Sequence, residues 1–230
     1  VQAEDIHLTA ARDILLAEHV GARLHVCHLS TAGSVELIRW AKKRGVAVTA
    51  EVTPHHLLLT DELARGYDAR FKVNPPLRTQ EDVLAVREGL ADGTIDIVAT
   101  DHAPHPSEAK ACEWQAAANG MVGLESALRV VHQAMVQTGL LDWSDVARVM
   151  SSAPARIGSL AGHGTPIEVG QPAELTLYDA DAQGVFAETD LHGQSTNSPY
   201  LGRELPGSVR WTVHRGYTTV EDGVLVELGS

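Results

Sequence analysis

The chain has 230 residues, the size of one ordinary domain with a small appendage. Apolar residues make up 44% of it, which supplies a packed core and excludes a disordered chain. Its net charge of −12 excludes the basic surface that nucleic acid and anionic membranes require, so neither is expected as a partner.

No window reaches the roughly 18 consecutive apolar residues that span a membrane. The start, VQAEDIHLTA, has neither a basic opening nor an apolar stretch, so no signal peptide is read there. Cys27 and Cys112 do not make a disulfide framework, and a reducing cytoplasm is the expected compartment. The 12 histidines are more informative, because several cluster beside aspartate at the ends of apolar runs.

In chain order, AEDIHLTAARDILLAEHVG places apolar residues at Ile6, Ala10, Ile14 and Leu15, near helical spacing. No cap or strand precedes it, so the chain is expected to begin inside a helix. ARLHVCHLS reads as a strand ending in polar residues. TAGSVELIRWAKKRG reads as a helix, with apolar Val35, Leu37, Ile38 and Trp40, basic residues in the last turn and Gly45 as the stop. VAVTAEV is the next strand, followed by TPHHLLLTDELARG. RFKVNPPLR reads as a shorter extended piece broken by two prolines. TQEDVLAVREGLADG is a helix with a Thr start and a Gly end, and TIDIVATDHAPH a further strand. GLESALRVVHQAMVQTG and DWSDVARVMSSAPARIGSL are then helices.

Near residue 164 the texture changes. GTPIEVGQPAELTLYDAD and GSVRWTVHRGYTTVEDGVLVE, rich in Gly, Thr and Val, read as β-hairpins of a separate sheet. SPYLGRELPG between them reads as a loop.

Strands alternating with helices of this length specify βαβ units and a parallel sheet. Polar residues stand at the carboxyl end of each strand: His28, His55 with His56, Asn74 and Asp101. A (β/α) barrel gathers its active site at that end. Three or four strands are counted, against the eight strands and about 250 residues of a complete barrel. The expected fold class is α/β: the C-terminal half of a (β/α)8 TIM-type barrel over residues 1–163, then a small β-sandwich-like domain over residues 164–230.

A carboxylate at the end of a buried strand must be paired, hydrogen-bonded or bound to metal. Asp101 could brace a loop, but His102 and His105 crowd the same strand end, and imidazole with carboxylate is a divalent-metal ligand set. The Ala-Pro between them is expected to turn His105 back over the barrel mouth. His25 and His28, three apart on one strand, are expected to face opposite ways, with His28 at the tip. The His55–His56 pair after Pro54 is read as a helix cap or a backbone hydrogen-bonding pair rather than as ligands. Asn74 can both donate to and accept from an amide at the mouth. ANGMVGLE, at 118–125, is either an ordinary helix entry or a loop whose main chain touches a ligand.

HVCHLST, AEVTPHHLLLTD, KVNPPLR, ATDHAPH and NGMVGLES, in this order and spacing, resemble the dihydroorotases of the amidohydrolase superfamily. The tail, GTPIEVGQPAELTLYD with STNSPYLGRELPGSVRWTVHRG, is similar to the small β domain of the same enzymes. The resemblance covers nearly the whole chain and corresponds to the C-terminal part of a bacterial-type enzyme. It implies zinc-dependent, reversible cyclisation of N-carbamoyl-L-aspartate to L-dihydroorotate in de novo pyrimidine biosynthesis. It implies His28 as a ligand of one zinc of a binuclear pair, and Asp101 as a ligand of the other and as the general acid/base. Asn74 and His105 are implied substrate contacts, together with the backbone around Asn119 and Gly120. Many relatives have an aromatic where this chain has Asn119, so a side-chain role is not carried over there.

The implied chemistry needs a metal that acidifies water and polarises a carbonyl, and a carboxylate that carries the proton to the leaving nitrogen. The family's His-x-His pair, its bridging Asp or carboxylated Lys, a further His ligand and the substrate-binding Arg would lie upstream of residue 1. The 230-residue chain alone is therefore expected to be inactive. A hydantoinase or allantoinase is the rival within the class; the Asn of NPPLR and the full DHAPH favour dihydroorotase. An inactive dihydroorotase-like scaffold for aspartate transcarbamoylase is the rival outside it, and the presence of His28 and Asp101 opposes it. The resemblance also implies a homodimer.

Overall fold

A computed structural model describes residues 3–226. Three parallel strands form its first sheet, in the order β1 (Leu24–Val26), β2 (Val48–Val52), β3 (Ile97–Val98). Leu24 lies opposite Val48, and Glu51 opposite Ile97, so all three carboxyl ends point the same way.

The helices between these strands begin where the chain offers a cap. Thr31, Thr53 and Thr79 are extended residues whose hydroxyls accept from the backbone N–H three positions on. They start α2 (Ala32–Lys43), α3 (Pro54–Leu58) and α4 (Gln80–Ala91), and Pro54 occupies the first turn of α3, where its missing N–H costs nothing. Gly45 and Gly93, both at positive φ, follow α2 and α4 and stop them. α1 (Ala3–Val20) precedes β1 and buries Ala10, Ile14 and Ala17.

The main core lies between this sheet and its helices, built from Ile14, Ile38, Ala50, Val52, Leu90, Met135 and Val149 among others. Asp96 ties the layer together: it accepts from the Ala50 N–H at 2.8 Å and pairs with Lys42 at 2.8 Å. The expected extended piece RFKVNPPLR forms no ladder. It folds as a short 3-10 turn, Ala69–Phe71, followed by bends and a cis Asn74–Pro75 bond, because its two prolines remove the donors a strand would need.

The C-terminal helical stretch runs through α5 (Ala127–Val131) into a π-turn, His132–Val136, and through Trp143–Ala147 into a second, Arg148–Ser152. Beyond it lies one antiparallel sheet of four strands: β4 (Leu175–Val185), β5 (Glu204–His214), β6 (Tyr217–Glu221) and β7 (Val224–Leu225). The described strands of this region form one sheet, with register shifts in the β4–β5 pair after Leu177 and after Asp179. The end of the expected loop SPYLGRELPG already belongs to β5. Arg215–Gly216 and Asp222–Gly223 all sit at positive φ and close the two hairpins in the turn form that matches strand twist.

A second core cluster joins this sheet to the first unit. Phe186, Tyr200 and Leu205 pack with Leu59, Val73, Leu77, Met121 and Val130. Arg129 of α5 reinforces the joint by donating to the Gly184 and Leu205 carbonyls at 2.8 and 2.6 Å.

Candidate metal and substrate site

His28, His55 and Asp101 stand two, three and three residues past the last residue of β1, β2 and β3. Parallel strands bring these positions to one end of the sheet. His28 Nε2 lies 3.6 Å from Asp101 Oδ1, and His55 Nε2 lies 4.0 Å from Asp101 Oδ2. His28 and Asp101 both adopt left-handed backbone, at φ 57° and 47°, which turns their side chains off the strand direction.

His55 is buried, and its Nε2 has no hydrogen-bond partner. An unsatisfied buried polar atom costs about 1–3 kcal/mol. A cation between His55 and Asp101 would remove that cost, so the donor set fits a divalent metal. Burial, helped by the charges of His56 and His28, pushes the His55 pKa well below its usual value. The neutral imidazole is the form a metal binds. Burial also raises the Asp101 pKa, opposed by His28 and assisted by Glu51.

Glu51 of β2 orients this group. One carboxylate oxygen lies 2.8 Å from His28 Nδ1 and the other 3.0 Å from His25 Nε2. Thr49 contacts the remaining His25 nitrogen at 2.8 Å. Burial works against the Glu51 carboxylate, but His28 and His25 together hold its pKa below the usual range. The Glu51 contact in turn raises the His28 pKa, against burial. His25 and His28 therefore meet one carboxylate instead of facing opposite ways: β1 ends at Val26, and the left-handed turn at His28 breaks the alternation. Cys27 comes within 4.8 Å of ligand atoms of His25 and Glu51. His25 and Glu51 already satisfy each other, so that trio is a support for His28, with a thiol whose pKa burial raises.

His56 has the local role expected of the pair. Its Nδ1 accepts from the Thr53 hydroxyl at 2.7 Å and its Nε2–H donates to the Pro75 carbonyl at 3.1 Å. Burial lowers its pKa to about 4, so it is a neutral clamp between α3 and the Asn74–Pro76 loop.

A second group gathers on the loops beside the strand ends. His102 pairs with Met121 as an isolated parallel bridge, and its Nδ1 accepts from the Gly123 N–H at 3.1 Å. This splices the ATDHAPH loop to the NGMVGLE loop and gives His102 a structural task. The His105 ring turns back onto the Asn119 carbonyl, with Nε2–H donating at 2.8 Å. Gly120, at φ 126°, is required there: a Cβ would lie 2.5 Å from the Ala103 Cβ. Asn74 and Asn119 are exposed and line one cavity of about 240 Å³ with Lys72 and Trp114. His105 lines another, of about 420 Å³, with Arg70 and Lys110.

The structure thus brings His28 to Asp101, and Asn74, His105, Asn119 and Gly120 to adjoining loops. His55 and Glu51 belong to the first group and were not expected there. The signal that could have found His55 is its register, since each of three successive strands delivers one ionisable residue just past its end.

The profile of the amidohydrolase family matches residues 3–216. The chain is 70% identical over 217 residues to the dihydroorotase of Leifsonia xyli subsp. xyli, covering 94% of this chain and 50% of that protein. It is 66% identical to the dihydroorotase of Streptomyces coelicolor, covering 94% of this chain and 50% of that protein. Among solved structures, the D-hydantoinase (dihydropyrimidinase) of a Thermus species superposes with a TM-score of 0.89 at 29% identity, over 96% of this chain and 49% of the other. The L-hydantoinase of Arthrobacter aurescens gives 0.86 at 31% identity, over 96% and 49%. The chain spans about half the length of the curated relatives it matches.

Proposed function

The chain belongs to the amidohydrolase family, and from that premise we propose that it is the C-terminal half of a dihydroorotase, which interconverts N-carbamoyl-L-aspartate and L-dihydroorotate in pyrimidine synthesis. The observation that carries the reading is the closure of His28 and His55 on Asp101 in a chain this similar to dihydroorotases. Hydantoinases share the fold at 29–31% identity, far below the 66–70% with dihydroorotases, and are the weaker reading.

His28, His55 and Asp101 would hold zinc, the last two on the side where His55 lacks a partner. Zinc bound there supplies a Lewis acid that acidifies water and polarises the reacting carbonyl. Three donors are fewer than the four of a typical protein zinc site, and the second ion of a binuclear pair needs more. The complete activity is therefore assigned to the protein of the relatives' full length, and the 230-residue piece alone is proposed to be inactive.

Asp101 takes the proton of the attacking water in hydrolysis and gives it to the leaving amide nitrogen; in cyclisation it runs the same transfer backwards. Glu51 keeps the His28 ring in place. Asn74, His105 and the main chain of Asn119 and Gly120 bind and orient the substrate. The part of the reading that includes assembly is a homodimer able to dock on aspartate transcarbamoylase, read by the mass of the protein alone and mixed with that enzyme.

The test measures zinc content and turnover of carbamoyl aspartate, hydantoin and allantoin by the full-length protein and by residues 1–230. Turnover of carbamoyl aspartate by the full-length protein alone supports the reading. Preference for hydantoin or allantoin overturns the substrate assignment. Near-stoichiometric zinc with normal activity in the 230-residue piece overturns the division of the site.

A further inference from the structure

Asn197 lies between the Phe186 corner and β5, far along the chain from the site, yet it is buried against it. Its Oδ1 accepts from the His105 N–H at 3.2 Å. Its Nδ2 donates to the Ala103 carbonyl at 3.0 Å and to the Gly120 carbonyl at 3.3 Å. Its own carbonyl accepts from the Val122 N–H at 3.2 Å. One carboxamide therefore uses an acceptor and two donors on two loops, on both sides of the His102–Met121 bridge.

The Gly120 carbonyl has a second donor. Lys110 Nζ reaches it at 2.8 Å, and the same buried ammonium reaches the Ala118 carbonyl at 2.9 Å. Behind it, Lys72 Nζ donates to the carbonyls of Trp114 and Ala117, each at 2.6 Å. The loop from 111 to 120 has almost no regular structure of its own, so these side chains set where its main chain lies.

We propose that Asn197 is a positioning residue for substrate binding: its carboxamide fixes the spacing between the His105 loop and the Asn119–Gly120 main chain. It touches neither a proposed metal ligand nor the reacting atoms. It acts through groups the dihydroorotase reading assigns to the substrate, and the proposal rests on that reading. Because both loops carry binding groups and Asp101 lies at the root of one, the effect falls on substrate affinity before turnover.

Asn197→Asp in the full-length protein keeps the acceptor for His105 and removes both donations. Loss of two such hydrogen bonds at a binding loop is expected to raise KM for carbamoyl aspartate about tenfold, with kcat and zinc content nearly unchanged. Hydrogen exchange should quicken at residues 103–105 and 120–122. An unchanged KM with a lowered melting temperature makes the residue a brace only and overturns the proposal, as does a fall in kcat accompanied by loss of zinc. If Asn197→Asp does not fold, Asn197→Ser, which adds no charge and shortens the side chain, is read by the same criteria. Should the wild-type protein fail to turn over carbamoyl aspartate, the functional reading falls by itself. Exchange at 103–105 and 120–122 then decides the positioning, and unchanged exchange overturns it.

Discussion

The strand ends and the loops beside them hold their groups by opposite means. At the strand ends, β1, β2 and β3 deliver His28, His55 and Asp101 by parallel register, and Glu51 orients the first of them. On the loops, position comes from side chains reaching across the chain: Lys72, Lys110, His102 and Asn197 all bind backbone groups. Substitutions at the strand ends should therefore act on the chemistry and the metal while sparing the fold. Substitutions among the loop clamps should act on binding and local order while sparing the metal.

The sharpest break in that contrast is Asp101→Asn in the full-length protein. Removing a proton carrier costs about 10²–10⁴-fold in rate, and kcat for carbamoyl aspartate should fall in that range with the melting temperature preserved. Phe186→Ala tests the joint between the two sheets. A buried Phe truncated to Ala costs about 3–5 kcal/mol, so chemical denaturation should show a loss of that size while zinc stoichiometry at low denaturant is kept. Glu51→Gln asks how far the orienting carboxylate matters. A comparable loss behind a metal ligand costs about 10–100-fold in metal affinity, read by competition with a zinc chelator.

The smallest effect concerns Lys110. Burial first, then the charge of Lys72, lowers its pKa to about 8, while Asp68 and Cys112 pull the other way. The unfolded chain keeps this proton up to the ordinary lysine value of 10.5, so between the two values it binds more protons than the folded state. Global stability from this group therefore rises with pH across that window, while the ammonium that grips the Gly120 carbonyl is lost. Hydrogen exchange at residues 118–120, corrected for its intrinsic pH dependence, should quicken severalfold between about pH 7 and about pH 9.5, with no fall in melting temperature. In Lys110→Met that pH dependence should vanish.

Much of the fold was legible because local chemistry and tertiary structure agree. Thr31 and Thr79 announce helices, Gly45 and Gly93 end them, and apolar runs bounded by them become the strands. His28 and Asp101 were legible as strand-end residues beside other ionisable groups. His55 was not, because a Pro-His-His after a strand also suits a cap, and the neighbour His56 does take that role. The pairing of His25 with His28 on Glu51 was hidden by carrying strand alternation past the last strand residue. KVNPPLR resembles a strand in its apolar content, yet the two prolines decide against a ladder. Asn197 gave no signal, since the partners of its carboxamide lie 77 to 94 positions away and only the folded chain brings them within reach.

The left-handed backbone at His28 and Asp101 also bears on how this protein can be engineered. Glycine takes that conformation without penalty, whereas other residues hold it at a cost of order 1 kcal/mol. Aspartate and histidine are among the side chains that tolerate it best, and glycine at His28 would also leave the Glu51 carboxylate without its 2.8 Å partner, so relief of backbone strain is offset there by a lost contact. Library designs aimed at stability should leave both positions fixed, because the backbone there is already served by residue types that fit it.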